Sequence, residues 1–348
     1  MRGWTRGSGT ARGNVVQGEQ AAPLVAPAEE LAMPKRPSAL HGILKFCRQK
    51  PLGAIGFGLV IFLLLLTLGA PTGKVGTPSL PDRPFGFEMS QSFMARYNGE
   101  DKFYDPDGGL RILAAPDADH WFGTDSAGRD IWARTIVGAR RSLFVGIWAL
   151  VVATVIGTAI GVVSGYFSGI ADTSTQRVMD ALQAFPPLIA LILIVSINPF
   201  ATGDKSSLMT TAVILGLVGI TAVQRIIRSV VLSTREQQYV EAGRVIGATD
   251  WRIMTRYILP NIMASIIIIF STGIGVVILA EAALSFIVPE KVPGGISWGN
   301  MLSESYTRLG EKPYPGLFSA AAIATAVLAF NLCGDALRDV LDPRLRSQ

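Results

Sequence analysis

The chain has 348 residues, 49% of them hydrophobic and only 16% charged, with a formal net charge of +5 and a mean hydropathy of +0.40. Soluble domains carry about 25% charged residues. This deficit, with several apolar runs of bilayer length, excludes an ordinary soluble globular protein and indicates an integral membrane one. In lipid the backbone must satisfy its own hydrogen bonds, so the runs are expected to be helices, and the alternating segments of a membrane barrel are absent. The positive charge fits basic loops near anionic lipid and requires no nucleic acid.

In chain order, residues 1–38 are rich in Gly, Ala, Arg and Pro without an apolar core and read as a disordered cytoplasmic tail. They are not a signal peptide, because no apolar stretch follows the early arginines. Residues 39–70 hold a basic lead-in and a first span, Leu52 to Ala70. Residues 71–141 form an external segment whose last part reads as an amphipathic interfacial helix. Five further spans are expected within a core at 142–335: Ser142 to Phe167, Met179 to Ile197 interrupted by Pro186 and Pro187, Leu208 to Val223, Ile262 to Ile287 and Leu317 to Cys333. Residues 336–348 form a second cytoplasmic tail. Lys35, Arg36, Lys45, Arg48 and Lys50 precede the first span with no acid among them, which places the N-terminus, and after six crossings the C-terminus, in the cytoplasm. Arg140 and Arg141, on the outer side before the second span, run against that rule.

Between the fourth and fifth spans lies "YVEAGRVIGATDWRIMTRYILPN", mixed in charge and cytoplasmic by this topology. It reads as helix, turn, helix. Ser233 or Thr234 can cap the first helix with Glu236 or Gln237 at capping-box spacing. Tyr239, Ala242, Gly243 and Ile246 share a face, and Gly247 suits a left-handed residue. Thr249 or Asp250 can cap the second helix, Trp251, Met254 and Ile258 line one side of it, and Pro260 stops or kinks it. Two readings stand: an amphipathic loop resting on the headgroups, or a docking element for another protein, which the two capped helices and the small-residue face favour.

The pattern Glu241-Ala242, Gly247, Leu259-Pro260 resembles the EAA loop of ABC importer permeases, with Gly243 where the family has a second alanine. "FGTDSAGRDIWARTIVGARRSL", "GYFSG", "ILAEAALSF", "SWGNML" and "FNLCGDALRDVLDPRLR" are similar to the C-type permease of dipeptide and oligopeptide (peptide/nickel) importers. The resemblance runs over about residues 40–346. It implies an all-α integral membrane protein with six transmembrane helices and the type I ABC importer permease (MetI-like) fold, resident in the inner membrane. It further implies a second permease subunit as heterodimer partner, two ATPase subunits and an extracytoplasmic substrate-binding protein. The coupling loop, 233–260, would engage the ATPases through Glu241, Ala242, Gly243, Gly247, Ala248, Asp250, Leu259 and Pro260.

The remaining motifs carry no catalytic chemistry. "PTGKVG" lacks the spacing of a phosphate loop and a Ser or Thr after Lys74, so the chain is expected to bind no cofactor, with ATP and Mg held by the partner ATPases. His41 and His120 are far apart, no Cys/His cluster has metal-ligand spacing, and Ser297 lacks a nucleophile's context, so the chain is not expected to be an enzyme. Glu281 is an ionisable residue in an apolar helix and thus a pathway candidate, with an interfacial or intersubunit position as the alternative. Asn331 and Asp335 are similar, with helix packing favoured. Gly157, Gly161 and Gly165 present a small-residue face, to a helix of the same subunit or across a dimer seam. The alternative class is a secondary transporter or channel acting without ATPases, compatible with the broken helix and the membrane glutamate.

Overall fold

The computed structural model describes residues 50–69, 112–118, 120–197, 206–289 and 295–341. The N-terminal tail with most of the first lead-in (His41 and Cys47 included), residues 70–111 of the external segment, the stretch 290–294 and residues 342–348 lie outside the described residues. Apart from one isolated bridge, Thr124 with Asp130, every regular element among the described residues is helical.

Helix α1 (Pro51–Gly69) is apolar on all sides. Helix α2 (Ile131–Phe167) follows the external segment, and α3 (Gly169–Gln183) and α4 (Pro187–Ile197) come next. Then come α5 (Ser206–Thr234), the short α6 (Gln238–Val245) and α7, a continuous helical run over Asp250–Ile287. Helix α8 (Trp298–Tyr306) and α9 (Tyr314–Leu341) complete the described chain. By length and composition α2, α5 (from Leu208), α7 and α9 can cross a membrane, and α3 with α4, bent by 80°, adds a fifth span if the pair counts as one. Helix α1 is a shorter apolar helix over Pro51–Thr67.

Two elements differ from the sequence expectation for stated reasons. The separate interfacial helix before the second span does not exist: its residues are the first turns of α2, which has 37 residues and so a length of about 55 Å. Asp130 starts it, its carboxylate accepting from the amides of Trp132 and Ala133, and no proline interrupts the run into Ser142. At the other end α9 continues to Leu341, so the boundary expected at 336 falls inside a helix. The break between α3 and α4 falls where Pro186 and Pro187 predict it. Pro187, whose missing N–H costs nothing at a helix start, opens α4.

The most extensive helix contact is α2 on α5. A Cβ on Gly157 would stand 2.9 Å from Val223 Cβ, one on Gly161 2.9 Å from the Gln224 carbonyl oxygen, and one on Gly165 3.0 Å from Val231 Cβ. The small-residue face therefore serves packing inside the subunit. Three apolar clusters follow. One joins α1, α7, α8, α9 and the first half of α2, a second lies where α2, α4, α5 and α7 meet, and a third anchors α6 and the start of α7 against the ends of α2 and α5. The molecule thus has two polar ends: a loop end, carrying 234–252, and a cap end, carrying 112–130 and α8.

Candidate functional site

At the loop end, α5 runs further than expected, to Thr234. Ser233 and Thr234 consequently sit in its last turn, and both hydroxyls donate to the Val230 carbonyl at 2.8 Å instead of capping α6. Gln237 precedes α6 and makes no side-chain cap bond. The inward face of α6 is Val240 and Gly243, both buried, whereas Tyr239, Glu241, Ala242 and Ile246 are exposed. Gly243 lies flat on the Tyr257 ring, where a Cβ would come within 3.4 Å. Gly247 has φ of +79°, the left-handed conformation that lets the chain turn. Ala248 donates to the Gly243 carbonyl at 3.0 Å, and the Thr249 hydroxyl accepts from the Arg252 amide at the start of α7.

The first turns of α7 depart from simple helical spacing. Ile253–Ile258 is a π-helical turn, which brings residues five apart onto one face. Ile253 and Ile258 are both fully buried while Trp251, expected beside Met254 and Ile258, is 72% exposed. Pro260 neither stops nor breaks the helix. The wider turn just before it accommodates the residue without an N–H, and Asn261 Nδ2 donates to the Tyr257 carbonyl at 2.6 Å. Leu259 is half-buried against the apolar cluster of this end. The outcome is a hairpin fixed by Val240, Ile253, Met254 and Ile258 that presents Val245 (82% exposed), Ile246 (75%) and Trp251 outward. Three large apolar side chains are held in the open by a rigid base.

Glu281 occupies a different place. It is fully buried inside the subunit, where α7 meets α2 and α8. Ser285 donates to its Oε1 at 2.8 Å, Oε2 has no hydrogen-bond partner among the described residues, and the Arg141 guanidinium attracts it electrostatically. Arg141, which ran against the charge rule, is buried and donates to the Gly295 carbonyl at 2.6 Å. Gly299 makes this junction possible, since a Cβ there would stand 2.4 Å from the Ala282 carbonyl oxygen. Ser297 is the buried N-cap of α8, accepting from the Asn300 amide.

The family described as binding-protein-dependent transport system inner membrane component matches residues 157–347. The glutathione transport system permease protein GsiD of Pectobacterium atrosepticum is 38% identical over 256 residues, covering 73% of this chain and 81% of that protein. The proteins of the same name from Escherichia coli O157:H7 and Shigella sonnei are 37% identical over 255 residues, covering 73% of this chain and 80% of theirs. The chain belongs to this family. It is a permease of the peptide-type ABC importers, a multi-pass inner-membrane protein, and its matched region takes in the end of α2, the whole hairpin and α9.

The permease does not gather all the residues singled out from sequence. Asn331 and Asp335 lie exposed on α9, Asn331 opposite Gly275, away from Glu281 and its partners on α2 and α8. Two groups of residues escaped the sequence reading. At the cap end Arg134 donates to Asp125 at 2.6 Å and to Glu304 at 3.1 Å, and Arg129 donates to the same two carboxylates at 2.8 and 2.6 Å. His120 is buried with Nδ1 3.3 Å from Asp130 Oδ2. At the loop end Tyr166, Arg235 and Arg244 surround the hairpin's base. The Asp125–Arg129 spacing of four is the one signal that sequence offered for the first group. The "GYFSG" motif was the signal for the second.

Proposed function

We propose that this permease forms half of the translocation pathway of an ATP-driven importer for di- or oligopeptides. A second permease completes the pathway, two ATPase subunits dock on the hairpin, and an extracytoplasmic binding protein delivers substrate. The observation that carries the reading is the outward face of the hairpin, Val245, Ile246 and Trp251, held open on a buried base. Apolar side chains concentrated on a rigid surface are what a protein interface uses at its centre. Glu241, Ala242, Gly243, Gly247, Ala248, Asp250, Leu259 and Pro260 build that surface or fix its geometry.

On this reading the long helices α2, α5, α7 and α9 are joined by the bent pair α3–α4 as one crossing and by the shorter α1 as another, and both termini and the hairpin face the cytoplasm; the four long apolar helices and the bent pair support it. ATP and Mg act on the partner subunits, whose closure moves the hairpin and exchanges inward and outward openings. Peptides are the substrate class supported by the relatives, whose names specify glutathione, itself a tripeptide. Co-expression with candidate ATPases and the second permease, followed by uptake into proteoliposomes, tests the reading. ATP-dependent accumulation of a peptide is the expected result. Uptake by the chain alone, driven by an ion gradient, would establish a secondary transporter instead.

A further inference from the structure

Tyr166 is the last buried residue of α2, and both arms of the hairpin touch it. Its hydroxyl donates to Asp250 Oδ1 at 2.6 Å, at the first residue of α7. From α6, the Arg244 guanidinium lies 5.5 Å over its ring. The Tyr166 ring shares the apolar cluster of the hairpin's base, and its hydroxyl reaches beyond that cluster to Asp250. The bond to Asp250 is short, directional and charge-assisted, so it resists sliding in a way that apolar contacts do not.

The corner that carries Tyr166 is fixed from the other side. Arg235, the residue that follows α5, donates to the carbonyls of Gly165 and Tyr166 at 3.1 and 3.3 Å and to Ser168 Oγ at 2.7 Å, occupying the free carbonyls at the end of α2. Ser168 has φ of +48° and ψ of −164°, a conformation that a residue with a side chain keeps only where its surroundings enforce it. One turn into α3, Asp172 receives both Nε and Nη2 of Arg228 at 2.6 and 2.5 Å, and Ser164 Oγ at 2.9 Å. The corner is therefore rigid toward α5. On the hairpin side an open cleft of about 560 Å³ separates it from Glu241 and Glu236, which leaves room for α6 to move.

We infer that the Tyr166–Asp250 hydrogen bond is the link through which displacement of the hairpin is passed to α2, with Tyr166 and Asp250 as positioning residues of the transport cycle. This rests on the reading that ATPase subunits dock on the hairpin. When α6 and the start of α7 shift, Asp250 draws the Tyr166 hydroxyl with it. The braced corner converts that pull into a tilt of α2 as a whole, because Arg235 and Arg228 prevent the end of the helix from yielding locally. Helix α2 is the element that reaches from the hairpin to Arg141 and Glu281.

The test uses the full complex, with Tyr166→Phe and Asp250→Ala made separately and together. Co-purification of the ATPases, thermal stability, ATP hydrolysis and peptide uptake are measured in each. For Tyr166→Phe, which lies outside the docking surface, the expected result is unchanged co-purification and stability, and in every variant peptide transported per ATP hydrolysed falls about tenfold, the weight of one hydrogen bond to a charged partner. The double variant should be no worse than either single one, since both remove the same link. Asp250→Glu, which keeps an acceptor, should recover part of the loss. Unchanged transport per ATP in both single variants would overturn the link while leaving docking intact. Failure of both to accumulate would make the pair a folding element and also overturn it. Absence of ATPases from the unmodified complex would instead remove the docking reading, and the link with it.

Discussion

The two polar ends of the permease handle their side chains in opposite ways. At the cap end the charges are matched: Asp125, Arg129, Arg134 and Glu304 form one network, with Arg134 only 3% exposed and Glu304 closing it at the surface. At the loop end the apolar side chains are turned outward and left open, with Val245, Ile246 and Trp251 more than 70% exposed. A polar network that satisfies itself fixes the geometry of its own subunit. An apolar face that does not satisfy itself is stable only as part of something larger. Similar numbers of residues thus do different jobs, which stability and assembly measurements separate.

The largest effect is expected from Arg134→Met. It removes the guanidinium that bridges Asp125 and Glu304 and leaves carboxylates facing each other with half their partners. Removing one member of a buried ion network costs about 3–5 kcal/mol. Thermal unfolding in detergent should register this as a pronounced loss, while any variant that survives should still bring down ATPases. An unchanged melting temperature would mean that the network does not hold the cap end together. Next comes Trp251→Ala, with the reverse pattern. Its side chain is exposed, so stability should change by no more than about 0.5 kcal/mol, yet an interface centre of this kind loses about 2–4 kcal/mol on truncation. ATPase co-purification should fall at least thirtyfold by titration. Full retention of the ATPases would place the docking surface elsewhere.

The difference between the ends also explains what was legible in the sequence. The hairpin is built from local rules: Gly247 at positive φ and Thr249 as a cap could be read because a left-handed turn and an N-cap depend on neighbours in the chain. The cap-end network could not, because Arg134 and Glu304 are 170 positions apart and nothing in either segment names the other. Glu281 was visible as a charge in an apolar helix, but its burial against α2 depends on Gly299, which sequence shows only as a glycine. Trp251 lies off its expected face because a π-helical turn displaces the register by one residue, and no composition signal announces such a turn. The alternation of charged and apolar residues suggests a separate interfacial helix, and charge does not break a helix. Long, continuous α2 followed once Arg134 and Arg141 found partners inside the fold.

Between the ends, the α2–α5 contact is what makes them one body, and it yields a smaller effect. Gly161→Leu would drive a side chain into the Gln224 carbonyl and Ile227, at 2.9 and 3.0 Å from the new Cβ. Overpacking of this order costs about 1–3 kcal/mol. Gly58→Leu on α1 is the control, because no atom lies within 4 Å of its Cβ position. Equal melting temperatures for the two variants would contradict the packing face.

The smallest effect, and the most specific, belongs to Gly247→Ala. Nothing lies within 4 Å of a Cβ at this position, so the added methyl meets no neighbour and the cost is confined to the backbone. Holding a residue with a side chain at a φ of +79° costs about 1 kcal/mol. That cost falls on the turn between α6 and α7, and not on the bundle, whose melting temperature should stay where it is. A strained turn opens more often, and the hairpin must be closed to present Ile246 and Trp251 together, so ATPase affinity should fall about fivefold. Gly247→Asn should do less harm, because asparagine tolerates the left-handed region better than alanine. If alanine and asparagine weaken docking equally, the turn conformation is not what the ATPases require. If neither does, the hairpin docks through α6 or α7 alone, and Trp251→Ala and a change at Ile246 will tell which.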